Sequence, residues 1–189
     1  MPEGDGINME TNSDENLIKF ESMLQENLCA LGNEIAGLSI APFITQQIRE
    51  MEAIELSGNN SITYRFTDQA CQVLVDCLLD SSIMVQSISL RHHRLTSESV
   101  KQLSRYFSMS TRLLQLDLEG NDIDSEGAEL IASWLLSDHC NLLSLSLNCN
   151  PIGERGGMYL ADALKINCNI ERVLLFNCEL TLKTVIATI

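Results

Sequence analysis

The feature that most constrains this chain is a pattern that returns every 28 or 29 residues. Leu113, Leu116, Leu118, Asn121, Ile123 and Gly127 reappear, each shifted by 29, as Leu142, Leu145, Leu147, Asn150, Ile152 and Gly156. Both stretches read LxxLxLxxNxLxxxG, with Ile in the last apolar place. The pattern runs forward as Ile170, Val173, Leu175, Cys178 and Leu180, and backward as Val85, Ile88, Leu90, His93 and Leu95, each time at a shift of 28. One more unit precedes these: Met51, Ile54, Leu56 and Asn59, 34 residues from Met51 to Val85. The extra residues lie in NNSITYR, because Phe66 is back in register with Leu95. A unit this short cannot bury its own apolar face, so neighbours must stack to share one core.

Each position has a physical role. Strand side chains alternate between faces, so the LxL pair points into the core and the residues between them point out. The Asn turns the chain and bonds backbone groups of the neighbouring loop. His93 and Cys178 replace it in two units. After the Gly the period changes to that of a helix. Gly127, Ile131 and Leu135 share one face, as do Gly156, Leu160 and Leu164; Ser99, Leu103 and Phe107; and Ala70, Leu74 and Leu78. The small residue at the head of each set is expected to let the helix approach the strand closely. The fold class is therefore α/β: a right-handed α/β solenoid, or horseshoe, of about five leucine-rich repeats, with a parallel inner sheet and outer helices. So long a repeat, with a full helix, resembles the ribonuclease-inhibitor-like class. Five strands give an inner face roughly 20 Å across.

The two ends are expected to differ. Residues 1–13 read as a disordered acidic tail. Residues 14–50 read as a helical cap over the first repeat, with apolar sites at Ile18, Phe20, Met23, Leu24, Leu28 and Leu31. Asp14 is placed to cap the first helix and Pro42 to open the second. Residues 51–189 form the solenoid, which is expected to end inside a helix after Leu180.

Composition narrows the function. Lys and Arg total 12 against 26 Asp and Glu, a formal net charge of −14. Half of that charge falls in the first 50 residues, and the excess argues against direct nucleic-acid binding. No apolar run reaches the roughly 20 residues a membrane span requires, and the N-terminus resembles neither a secretory nor a transit signal. Seven cysteines, an odd number without a CxxC, fit a reducing intracellular compartment. The chain is expected to be monomeric, without a membrane partner and without a cofactor.

The alternation also identifies the solvent side of the strands, where a protein partner would dock. Its candidate binding residues are Glu55 on the first strand, Arg91 on the second, Asp117 and Glu119 on the third, and Asn148 on the fourth. The fifth adds Arg172, Leu174 and Phe176. An aromatic anchor among polar neighbours has the shape of a binding hot spot. Leu174 and Phe176 could equally pack under a further C-terminal segment. Asp117 and Glu119 lie two apart on one strand face, a spacing that acid–base chemistry tolerates. An open wet face, however, is expected to leave their pKa values unperturbed. His92 and His93 follow a strand whereas His139 and Cys140 precede one, so they are not expected to share a zinc ion. Arg91, Arg94, Lys101, Arg105 and Arg112 make the second repeat basic against Asp76, Asp80, Asp122 and Asp124. That pattern reads as pairing between neighbours or as a contact for an acidic partner.

Four segments carry a closer resemblance. GNNSITYRFTDQACQVLVDCL, GNDIDSEGAELIA, ERGGMYLADALKIN and NCELTLKTVIA resemble the leucine-rich repeat-containing protein 34 family. That resemblance implies a non-enzymatic interaction protein of the nucleolus or cytoplasm, linked to germ-cell and stem-cell differentiation. The alternative, by analogy of fold, is a GTPase-activating regulator of a small GTPase.

Overall fold

A computed structural model describes residues 9–32, 34–58 and 66–181. Two helices, α1 (Met9–Ala30) and α2 (Glu34–Met51), precede the repeats. Strands β1 (Ala53–Ser57), β2 (Ser87–Arg91), β3 (Gln115–Asp117), β4 (Ser144–Ser146) and β5 (Arg172–Leu174) then alternate with helices. These are α3 (Asp68–Asp80), α4 (Ser97–Phe107), α5 (Ser125–Leu135) and α6 (Gly153–Leu164). The strands form one parallel sheet in chain order. Its register follows the repeat: Ile54, Ile88, Leu116, Leu145 and Val173 lie side by side. The first four of these are buried, as are Leu56, Leu90, Leu118 and Leu147 of the second LxL row. The fold is the expected α/β solenoid.

The conserved-spacing amide ties each unit to the one before. Asn121 accepts from the His93 and Leu95 N–H groups, both at 3.0 Å, and donates to the Leu90 and Leu118 carbonyls at 2.8 Å. Asn150 accepts from the Ile123 N–H at 3.1 Å and donates to the Leu118 carbonyl at 2.9 Å. His93 does the same with a ring. Its Nδ1 accepts from the Phe66 N–H at 3.1 Å, so the other nitrogen carries the proton and is turned toward the Leu56 carbonyl. Cys178 can only donate weakly, and its thiol reaches the Leu147 carbonyl at 3.1 Å. The ladder is thus continued by different chemistry where asparagine is missing.

The helix faces fall as read, with one refinement. A Cβ on Gly156 would lie 2.9 Å from the Ala128 Cβ and 3.0 Å from the Ser125 Cα, both on α5. On Gly127 it would meet Ser97 Oγ at the head of α4. Small residues here let neighbouring helices meet, rather than a helix and its own strand. Phe107 of α4 and Trp134 of α5 stack across the same layer, with centroids 4.1 Å apart.

The cap departs from expectation in four respects. Helix α1 already runs from Met9, so residues 9–13 are helical rather than tail, and residues 1–8 lie outside the described segments. No Gly or Pro separates Met9 from Asp14, and a nucleated helix propagates until something stops it. Asp14 therefore sits inside the helix, 3.9 Å from Arg49 of α2. The buried face of α1 is Leu17, Phe20, Leu24 and Leu28, while Ile18 and Leu31 are exposed. Packing against α2 and α3 sets the helix rotation and favours the residue one place earlier. Pro42 lies inside α2 rather than at its start. It forgoes the bond to the carbonyl of residue 38, and burial of Ala41, Ile44 and Ile48 on the same helix offsets that loss. Helix α2 also protects the free edge of β1. The Gln47 amide accepts from the Glu55 N–H and donates to the Glu55 carbonyl, both at 3.0 Å, taking the place of a neighbouring strand. The insertion at 59–65 and the helix expected after Leu180 (residues 182–189) lie outside the described segments.

Two expected outcomes follow. Gly156→Leu forces α5 and α6 apart and should lower stability by about 1–3 kcal/mol in chemical denaturation. Burial holds the His93 imidazole below its ordinary pKa, against the smaller opposing effect of the Leu56 carbonyl. The unfolded chain therefore binds the proton first. Stability is complete above the unfolded value near 6.5 and is lost as pH falls below it, until the folded ring also protonates. His93→Asn should keep the ladder and remove this slope, read as melting temperature between pH 7 and pH 5.

Candidate functional site

The open face of the sheet carries three rows fixed by the strand register. One row holds Ala53, Ser87, Gln115, Ser144 and Arg172, and the next holds Glu55, Ser89, Asp117, Ser146 and Leu174. The third begins with the Ser57–Arg91 pair and continues past the shorter strands as Glu119, Asn148 and Phe176. Every candidate binding residue from the sequence therefore lies on this face. Ala53 and Ser146, also placed on it by alternation, are buried. The face encloses a shallow depression of about 310 Å³, floored by serines and bounded by Glu55, Arg91 and Arg172.

The middle of the third row is bound to itself. Arg91 reaches Glu119 at 3.1 Å and Asp117 at 3.4 Å. The Asn148 amide donates to Glu119 at 3.3 Å, and its carbonyl oxygen accepts from the Phe176 N–H at 2.7 Å. Asp117 also accepts from the Glu119 N–H at 3.0 Å. One network thus runs from the second repeat to the backbone that presents Phe176. Phe176 is 76% exposed and Leu174 42% exposed.

This network perturbs Glu119, contrary to the expectation for an open face. Burial pushes its carboxyl up, but the hydrogen bonds from Asn148 and Arg91 outweigh that and hold it below the usual value. The Glu119 hydrogen bond and nearby Asp117 push the Arg91 guanidinium higher still. A carboxylate held ionised beside an arginine cannot serve as a general acid, so the shift argues for structure rather than catalysis.

The other groups singled out in the sequence are also accounted for. The basic side chains of the second repeat are paired: Arg94 with Asp122 at 3.0 Å, Arg105 with Asp76 at 2.7 Å, Arg112 with Glu52 at 2.7 Å and Lys101 with Glu98 at 3.7 Å. Pairing between neighbours, rather than an open basic patch, is what the geometry supports. Burial pushes the Cys71 thiol up to about 12 and the Cys77 thiol to about 11, which makes both poor nucleophiles. Among the described residues no cluster of three or more His, Cys, Asp or Glu could hold a metal ion, and no helix is long and apolar enough to cross a membrane. Sequence reasoning missed Gln47, whose role depends on where α2 packs, and the Arg91–Glu119 pair. Opposite charges at register-matched positions two strands apart in the chain were the available signal for that pair.

With this geometry in place, comparison with known proteins gives a consistent result. The Leucine Rich repeat family model matches residues 110–132 and 138–161. The chain carries leucine-rich repeats. It is 31% identical over 113 residues to human NACHT, LRR and PYD domains-containing protein 5, a match covering 59% of this chain and 9% of that protein. It is 27% identical over 183 residues to NACHT, LRR and PYD domains-containing protein 14 of Mus musculus, covering 82% and 18%. The chain thus spans less than a fifth of either relative. Among solved structures, it superposes on the leiomodin-1 actin-binding site 2 structure with a TM-score of 0.61 at 17% identity, covering 92% of this chain and 83% of that one. The tropomodulin C-terminal domain of Caenorhabditis elegans gives 0.58 at 15% identity, covering 91% and 88%. These two similarities establish the solenoid fold.

Arg91→Ala should release Glu119, moving its carboxyl titration upward toward the ordinary value in side-chain NMR. Because the pair is half-exposed, the same variant should lose no more than about 1 kcal/mol of stability. An unmoved Glu119 titration would mean that Arg91 does not hold it.

Proposed function

We propose that this chain is a non-enzymatic protein-interaction scaffold that binds through the open face of its sheet. The observation carrying this reading is the Arg91–Asp117–Glu119–Asn148 network, which ends at the backbone N–H of exposed Phe176. A pre-organised polar frame around an aromatic anchor presents an apolar contact without having to order it on binding. The repeat family supports the same reading, since stacked repeats build extended binding surfaces. The resemblance of residues 120–132 and 154–167 to the leucine-rich repeat-containing protein 34 family supports a nucleolar or cytoplasmic role in germ-cell and stem-cell differentiation. The GTPase-activating alternative would need a rim side chain free to enter a nucleotide site. Arg94, at the rim after β2, is instead engaged by Asp122.

Phe176→Ala and Glu119→Lys test the proposal together. Both side chains face solvent in part, so the melting temperature should change little. Affinity capture from germ-cell lysate should lose its specific partner with either variant. Capture unchanged by both would place the binding surface elsewhere.

A further inference from the structure

The open face carries two charges that its own network leaves unmatched. Among the described residues, Arg172 is the one arginine without a side-chain partner: five others hold carboxylates, and Arg155 holds the Tyr159 hydroxyl at 3.0 Å. Of the three carboxylates on this face, Asp117 and Glu119 share Arg91, whereas the Glu55 side chain has no cation among the described residues. Glu55 and Arg172 line opposite ends of the same depression. Four strand steps separate them, or about 20 Å.

The floor between them is also unspent. The hydroxyls of Ser87, Ser89 and Ser144 make no hydrogen bond within the described residues, and the Ser146 Oγ is buried without a partner although Ser146 is only 7% exposed. Hydroxyls of this kind can satisfy the N–H and C=O groups of an extended segment. A helix offers no such groups, because its own turns consume them. Beside Arg172 stands the exposed apolar side chain of Leu174.

We infer that the open face binds an extended peptide segment of a protein partner in one fixed polarity, with a cation over Glu55 and an anion over Arg172, about six residues apart. An apolar residue beside the anion packs on Leu174. The inference rests on the scaffold reading above and adds the chemistry and orientation of the occupant. Charge placement of this kind sets register and excludes reversed partners.

A displayed library of random peptides, selected on the full chain at low salt, tests it. Enriched sequences should carry a Lys or Arg and an Asp or Glu at that spacing, with an apolar residue next to the acid. Arg172→Glu should weaken a selected peptide by about tenfold or more. The double variant Glu55→Lys with Arg172→Glu should select the opposite order. Ser89→Trp, which fills the depression, should abolish binding while circular dichroism and melting temperature remain those of a folded chain. Peptides that are lost with Ser89→Trp but ignore the charge exchange overturn the polarity and leave the scaffold reading standing. Peptides that bind the Ser89→Trp chain normally overturn both. A library that yields no enrichment overturns the inference.

Discussion

Everything in this molecule hangs on a single side-chain position that bonds the main chain of two repeats at once. At the turn after each strand the backbone is buried and its polar groups have no sheet partner. Asn121 and Asn150 satisfy them with one amide that both accepts and donates. An orphaned buried backbone group costs roughly 1–3 kcal/mol, so this amide decides whether the turn can be buried at all. His93 meets the same requirement only while its ring is neutral, because an imidazolium has no acceptor to offer the Phe66 N–H. Cys178 meets it only in part, with a thiol in place of an amide.

Fixing the turns fixes the strand register, and the register builds the outward rows. Arg91 meets Glu119 because both stand at the same place in adjacent repeats. Asn148 meets Glu119 on one side and the Phe176 backbone on the other for the same reason. The functional face is thus a by-product of the stacking order, and the exposed side chains need contribute little to stability. A solenoid can vary such a surface freely, since the core residues lie on the opposite side of every strand. The pairing of Arg94, Arg105 and Arg112 with neighbouring units shows how the local basicity of the second repeat is consumed in holding the stack together.

Much of this was legible in the sequence, because a repeat announces its own geometry. The five strands, the helix faces and the membership of the open face all follow from a shift of 28 or 29 residues. The cap was harder to read. It lies outside the repeat, so only local amphipathicity guided it, and Ile18 competed with Leu17 for the buried face. Docking on α2 and α3 settled that choice in favour of Leu17. Pro42 suggested a helix start by local rule and is instead carried in the middle of α2 by the burial around it. The candidate site was legible as a set of residues but not as a network. Alternation says which side chains face solvent, and it does not say which of them touch.

The sequence by itself determined the stack: period, element order, strand register and the face left open for a partner. Those are properties of spacing, and spacing is written along the chain. The tertiary structure decided the rotation of the cap, the use of Gln47 to close the free edge of β1, and the pairing that holds Arg91, Asp117 and Glu119 together. It also decided that Arg172 and Glu55 stay unmatched. Each of these depends on distances between residues far apart in the chain, and only folding brings such residues within reach of a hydrogen bond or an ion pair.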